Sequence, residues 1–153
     1  MKPVIHNTFV IERTYPASPE RVFAAFSDPA KKRRWFGESD RHDIEIFEMD
    51  FRQGGAERAS YRFRDGAPFP GAIVSAESAY LEITPNQRVV TAGTMAFGGK
   101  PFSASLVTVE FVPAGAGTNL ILTHQSAFFE GADGPEIREM GWRKLLDKLG
   151  LEC

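Results

Sequence analysis

The sequence predicts an α+β fold in which a curved antiparallel sheet of about seven strands packs against one long C-terminal helix. Three observations support this fold class. Residues 4–15 are β-branched and aromatic with partial alternation, and similar segments recur between residues 43 and 127. Two short helical segments follow the first strand, and an amphipathic segment over residues 133–149 is followed by a glycine. We see no linker or repeat, so we place residues 1–153 in a single domain.

The two short helices are predicted by the residues that begin them. Ser18-Pro19 matches an N-cap followed by proline at the first helical position, where the missing N–H removes no hydrogen bond. Apolar residues at helical spacing follow directly. Asp28-Pro29 repeats the signal and predicts a second short helix that runs to about Phe36 and ends at Gly37.

Turn compositions divide the middle of the chain into the six later strands. Glycine, proline and asparagine clusters bound the segments 43–49, 56–64, 72–83, 87–96, 102–112 and 118–127. Alternation is clear in the last two, so Val107 and Val109 share a buried face, as do Leu122 and His124. Six consecutive strands joined by short turns predict an antiparallel meander.

The C-terminal helix is predicted to open at Asp133 and to end at Gly150. Its apolar stripe consists of Ile137, Gly141, Trp142, Leu145, Leu146 and Leu149. A glycine inside a helix costs roughly 1 kcal/mol relative to alanine, so Gly141 suggests a close approach to a strand or a ligand. A helix held in a curved sheet leaves a space between the two, which is a place for a ligand.

Composition excludes several classes of protein. Hydrophobic residues make up 42% of the chain and charged residues 25%, which is typical of a soluble globular protein. The net charge of −2 does not suggest a nucleic-acid-binding protein, and we interpret the basic run Lys31–Arg34 as a solvated helix surface. Cys153 is the only cysteine, and no apolar run approaches the ~20 residues of a membrane span. We therefore expect a cytoplasmic protein with no membrane partner.

The motifs of catalysis and metal binding are missing from the sequence. His6, His42 and His124 lack the short spacing of a metal-binding pair, and no P-loop or nucleophile elbow occurs. We predict no catalytic residue, no metal and no cofactor. The two polar residues of interest are His124 and Arg13, which alternation points inward. Each is interpreted either as a structural residue with a protein partner or as a polar anchor that orients a ligand.

Motifs along nearly the whole chain resemble those of a known family. They are RTYPASPERVF (13–23), SDP (27–29), WFG (35–37), YLEITP (80–85), TVEF (108–111) with GT (117–118), LTH (122–124), and GW (141–142) with three later leucines. This pattern resembles the bacterial single-domain Aha1-like proteins, named after the C-terminal domain of the activator of Hsp90 ATPase. They belong to the START / Bet v 1 / polyketide-cyclase-like (SRPBCC) superfamily.

The resemblance implies the helix-grip fold, in which seven antiparallel strands grip the C-terminal helix around a deep, mostly apolar cavity. It does not imply a shared reaction, since one fold hosts many functions. Superfamily members include lipid and hormone carriers, cyclases and proteins that bind toxic natural products. The chaperone-activating relatives carry a separate N-terminal domain that this sequence does not show, so a full co-chaperone activity is not expected.

The leading hypothesis is a non-enzymatic protein that binds a small apolar or aromatic molecule, such as a lipid or polyketide. The predicted lining of the cavity is Trp35, Phe36, Tyr61, Phe63, Val107, Val109, Leu122, His124, Trp142 and Leu145. The tryptophans and Phe36 can equally be core residues. A second hypothesis is an enzyme of cyclase or hydratase type, with His124 as acid/base and Arg13 stabilising an enolate-like oxygen. A third is a protein-interaction module, including a chaperone partner, and a homodimer through an edge strand stays open.

Overall fold

A computed structural model describes residues 2–153. The strands are β1 (Ile5–Tyr15), β2 (His42–Met49), β3 (Ala56–Phe63), β4 (Ile73–Thr84), β5 (Arg88–Phe97), β6 (Lys100–Ala114) and β7 (Gly117–Phe128). The helices are α1 (Pro19–Ser27), α2 (Pro29–Lys32) and α3 (Pro135–Leu149), with a π-helical turn at Arg33–Gly37 and a 3₁₀ turn at Gly150–Glu152. This is the predicted α+β helix-grip architecture.

All seven strands form one antiparallel sheet in the order β1-β7-β6-β5-β4-β3-β2. The six strands from β2 to β7 are sequential neighbours, which confirms the predicted meander. β1 completes the sheet by pairing with β7 along its whole length, from Ile5 opposite Phe128 to Tyr15 opposite Thr118. The first and the last strand of the sequence, β1 and β7, are therefore neighbours, and β1 and β2 form the two edges of the sheet.

The two short helices close one end of the sheet, and their caps are those the sequence predicts. The Ser18 side chain accepts a hydrogen bond from the backbone N–H of Arg21, and Asp28 accepts one from Ala30 at 3.0 Å. The last five residues of the second segment form a π-helical turn instead of continuing the α-helix. Trp35 lies in this turn and donates from Nε1 to the carbonyl of Ala25 at 2.7 Å, which ties the turn to α1.

Alternation along the strands separates a buried inner face from an outer face. On β1 and β7 the inner face includes Ile11 and Leu122, which are 1% and 0% exposed. α1 adds Phe23 and Phe26, whose rings meet Phe111 of β6 at 5.5 and 5.3 Å. The core thus fills the space between the sheet, α1 and the end of α3.

α3 differs from the predicted apolar stripe. Leu146 and Leu149 are fully buried, but Ile137 is 60% exposed, and a Cβ added at Gly141 would meet nothing within 4 Å. The expectation that Gly141 marks a close approach to a strand is therefore wrong, and its approach to a ligand stays a prediction. The reason is that α3 packs beside β1 and the π-helical turn, so its buried side faces that edge of the sheet. Its first half buries Arg138 instead of an apolar residue.

Candidate functional site

A row of small and polar side chains crosses the inner face of the sheet. From β1 to β3 it consists of Asn7, Ser126, Ser105, Gly93, Ser78 and Glu57, each paired with the next in the strand register. At ~4.8 Å between strands this polar row spans on the order of 24 Å. Ser105 and Ser126 hydrogen-bond through their hydroxyls at 2.8 Å. Most of the side chains in this row are small.

His124 borders one end of the polar row. It is 1% exposed, and its ring stacks on Phe9 with 4.5 Å between centroids and 9° between planes. Burial and then the positive charge of Arg138 lower the pKa of His124 from 6.5 to about 4, so the ring is neutral at pH 7. Its Nδ1 is buried and has no hydrogen-bond partner among residues 2–153, and the same holds for Oδ1 of Asn7.

Arg138 of α3 supplies the charge near His124. Its guanidinium makes two hydrogen bonds to the carboxylate of Asp133, at 2.7 and 2.8 Å, and a third to the hydroxyl of Ser103 at 2.9 Å. It also lies 5.1 Å from the ring of Phe128. These contacts explain how an arginine can be 9% exposed. No sequence pattern predicted a role for Arg138, because this charged residue interrupts the apolar spacing of the helix.

A second buried polar cluster lies at the other end of the row. The Nζ of Lys32 is 2.9 Å from Oε1 of Glu57, and the hydroxyl of Tyr80 donates to the same oxygen at 2.6 Å. The Lys32 ammonium also lies 4.5 Å from the ring centroid of Phe36. Lys32 is 7% exposed, so the interpretation of the basic run as solvated is wrong at this residue. Lys32 at the end of α2 packs against Glu57 of β3, whereas its neighbours Arg33 and Arg34 are exposed.

Tyr61 lies on the same face of β3 as Glu57, four residues along the strand. Its ring is 4.4 Å from that of His42. Burial and then the carboxylate of Glu57 raise the pKa of Tyr61, so the hydroxyl keeps its proton. Within the described residues, this buried hydroxyl oxygen has no hydrogen-bond partner.

The predicted lining residues fall into two groups. Trp35, Val109, Leu122 and His124 are buried, whereas Phe36, Tyr61, Phe63, Val107, Trp142 and Leu145 are half-buried. Those on strands lie on the inner face, and Phe36 meets Trp142 of α3 at 5.6 Å. Their contact with a ligand stays a prediction. The half-buried group is the one that could touch a ligand without first rearranging the core.

Arg13 and His124 do not come together. Arg13 lies opposite Leu120 in the register, whereas His124 lies opposite Phe9, four residues away on β1. At ~3.3 Å per residue the two positions are on the order of 13 Å apart. Arg13 instead pairs with Asp147 of α3, with 3.4 Å between Nε and Oδ1. Its inward charge is thus met by a carboxylate of the protein.

Two depressions of the surface are relevant to the predicted cavity, and no α3 residue lines either of them. One, of about 640 Å³, crosses β1, β7, β6 and β5, and residues of both faces line it. His6, Thr8 and Gln125 belong to the outer face, whereas Asn7, Ser126 and Ser105 belong to the polar row. The other, of about 550 Å³, lies where the β4–β5 turn meets α1 and the end of β6. The predicted cavity between sheet and helix therefore stays a prediction.

Within residues 2–153, no group of three or more histidine, cysteine or acidic side chains is placed to hold a metal ion. No helix in the same part of the chain is both long and apolar enough to cross a membrane.

Residues 16–151 match the family model described as "Activator of Hsp90 ATPase homolog 1-like protein". The chain belongs to this family. The Aha1-like domain is similar to a solved Rhizobium loti protein at 45% identity and TM-score 0.86, covering 99% of this chain and 100% of that one. A Rhizobium leguminosarum protein is 35% identical, with TM-score 0.88 and coverages of 98% and 95%. An AHSA1-like protein of Aeromonas hydrophila, at 18% identity and TM-score 0.67 with coverages of 95% and 91%, shares the fold. No curated protein matches the sequence.

Proposed function

We propose that this Aha1-like protein binds a small molecule with an apolar or aromatic body on the inner face of its sheet. The observation that carries the proposal is the Nδ1 of His124, which is buried without a hydrogen-bond partner in the described chain. A buried polar atom without a partner costs about 1–3 kcal/mol of stability. A ligand that offers a hydrogen-bonding group there would recover this cost, and the flat ring of Phe9 stacked on His124 suits an aromatic body.

The surroundings of the polar row support the same proposal. Two half-buried aromatic rings, Phe36 of the π-helical turn and Trp142 of α3, meet at 5.6 Å and offer an apolar surface. Small-molecule sites typically combine an apolar lining with a few polar groups that fix orientation. The buried Nδ1 of His124 is closed off from solvent, so a ligand would enter by displacing neighbouring side chains.

The alternative of a cyclase-like enzyme receives less support. It requires His124 and Arg13 to act on one substrate, but their register positions are on the order of 13 Å apart. Asp147 also engages the Arg13 guanidinium. Arg138 is nearer to His124, yet its bonds to Asp133 and Ser103 occupy two of its nitrogens.

A thermal-shift screen tests the proposal, with fatty acids, flavonoids, polyketides and steroids as ligands. A ligand at 100 times its Kd stabilises the protein by about 2.7 kcal/mol, which raises Tm by several degrees. We expect a saturable shift for one class, and a parallel change in fluorescence from the half-buried Trp142.

Variants locate the binding. His124→Phe should weaken a polar ligand more than an apolar one, whereas His6→Ala, at an exposed histidine, should affect neither. Absence of a saturable shift across all four classes would overturn the proposal. A hit that His124→Phe leaves unchanged, for polar and apolar ligands alike, would exclude His124 from the site.

A further inference from the structure

The three tyrosines of the chain differ in what their hydroxyl groups meet. Tyr15 donates to the backbone carbonyl of Leu146 at 2.7 Å, and Tyr80 donates to the carboxylate of Glu57 at 2.6 Å. Both bonds join distant parts of the fold and have a structural role. The hydroxyl of Tyr61 is buried as well, yet it has no partner within residues 2–153. A phenylalanine would fill the same place without leaving a buried donor unpaired.

The charges near Tyr61 restrict which ligand group could accept a hydrogen bond from its hydroxyl. Glu57 lies four residues away on the same face of β3, so the two backbone positions are roughly 13 Å apart along the strand. Its Oε1 is already engaged by Lys32 and Tyr80. Of the charges that act on Tyr61, the negative charge of Glu57 has a larger effect than the positive charge of Arg33. A second carboxylate brought to Tyr61 would therefore be repelled more than it is attracted. A neutral acceptor such as a carbonyl oxygen carries no such penalty.

Next to Tyr61 lie the rings of His42 and Phe63, and His42 already uses its own donor. The Nε2 of His42 lies 2.7 Å from the carbonyl of Gly37, and because that carbonyl only accepts, Nε2 is the donor. The His42 ring is thus held in place beside Tyr61, and the ring of Phe63 lies 6.4 Å beyond it. An aryl group placed against these rings would bring a substituent close to the Tyr61 hydroxyl.

We propose that Tyr61 is the specificity-determining donor of the inner-face site, and that it selects aryl ligands with a neutral carbonyl over matching carboxylates and hydrocarbons. The inference rests on the proposed binding function and names the ligand chemistry at the β3 end of the site. It assigns Tyr61 a role in orienting the part of a ligand that lies at the β3 end of the inner face.

Three biphenyls of nearly the same shape test the inference, measured by isothermal titration calorimetry with the full chain. They carry a para-acetyl, a para-isopropenyl or a para-carboxylate group. One neutral hydrogen bond predicts that the acetyl compound binds about 5- to 10-fold more tightly than the isopropenyl compound. The carboxylate should bind more weakly than the ketone.

Tyr61→Phe should abolish the preference for the ketone and leave the affinity for the isopropenyl compound unchanged. Tyr15→Phe is the matched control, because it removes a tyrosine hydroxyl that bonds Leu146, and it should keep the preference. A merely structural role of Tyr61 would weaken all three compounds equally.

The outcomes separate the two proposals. If all three compounds bind wild type with equal affinity, or if Tyr61→Phe keeps the preference for the ketone, the role of Tyr61 is overturned while ligand binding stands. If the carboxylate binds most tightly, the electrostatic argument is overturned. If none of the compounds binds while the broader screen gives a saturable hit, the aryl-ketone selectivity fails alone; if the screen fails too, the proposed function fails.

Discussion

The buried Lys32–Glu57 pair should contribute to stability in a way that one single variant and one double variant can measure. Their side chains are 8% and 11% exposed, and Nζ and Oε1 are 2.9 Å apart. Lys32→Met keeps most of the aliphatic stem but leaves the Glu57 carboxylate buried without its counter-ion. Removing one partner of a buried pair costs about 3–5 kcal/mol. The remaining hydrogen bond from Tyr80 puts the expected loss near the lower limit, at about 3 kcal/mol.

The assay is urea unfolding at pH 7 followed by tryptophan fluorescence, since Trp35 lies three residues from Lys32. The double variant Lys32→Met/Glu57→Gln removes both charges and keeps an acceptor for Tyr80, so it should recover about 2 kcal/mol relative to Lys32→Met. Arg143→Met is the control, because its pair with Glu139 is exposed and should contribute less than about 1 kcal/mol. A loss below about 1 kcal/mol for Lys32→Met, or no recovery in the double variant, would refute the reasoning.

Two further predictions concern His124 and the glycines. Since His124 has a pKa of about 4 when folded and 6.5 ordinarily, the unfolded chain binds the proton more readily, and stability falls as pH decreases from 6.5 to 4. His124→Phe should therefore gain about 2–3 kcal/mol relative to wild type between pH 7.5 and 4.5 in urea unfolding, and a difference that does not change with pH would contradict this. Gly93→Ala should lower Tm by several degrees, because its Cβ would lie 2.1 Å from the carbonyl oxygen of Glu77. Gly141→Ala should raise Tm, because the added Cβ would meet no atom within 4 Å and alanine favours the helix. Equal changes in Tm for the two variants would contradict the close approach at Gly93 and the open space at Gly141.

Local patterns predicted most of the secondary structure. The N-cap signals at Ser18 and Asp28 begin α1 and α2 as expected, and the segment 118–127 lies within β7, Gly117–Phe128. These succeed because capping and strand alternation depend on residues that are close in sequence. The inward direction of Val107 and His124 follows from the same alternation and is confirmed by their pairing on the inner face.

The predictions about α3 and the basic run were weaker because they depend on what each element packs against. Ile137 has the spacing of a core residue but is exposed, while Arg138 is buried because Asp133, Ser103 and Phe128 surround its guanidinium. Lys32 is buried for the same kind of reason, since Glu57 and three aromatic rings meet its ammonium. No local pattern indicates a partner that lies far away in the chain.

The sequence by itself determined the elements of this Aha1-like protein, the family and the side of each late strand that faces inward. Only the tertiary structure decided that β1 pairs with β7, and that Asn7, Ser126, Ser105, Gly93, Ser78 and Glu57 form one row. It also decided which polar atoms stay unpaired, among them Nδ1 of His124 and the hydroxyl of Tyr61. The physical reason is that hydrogen bonding and charge pairing in the interior depend on strand register and helix placement, which bring together residues dozens of positions apart.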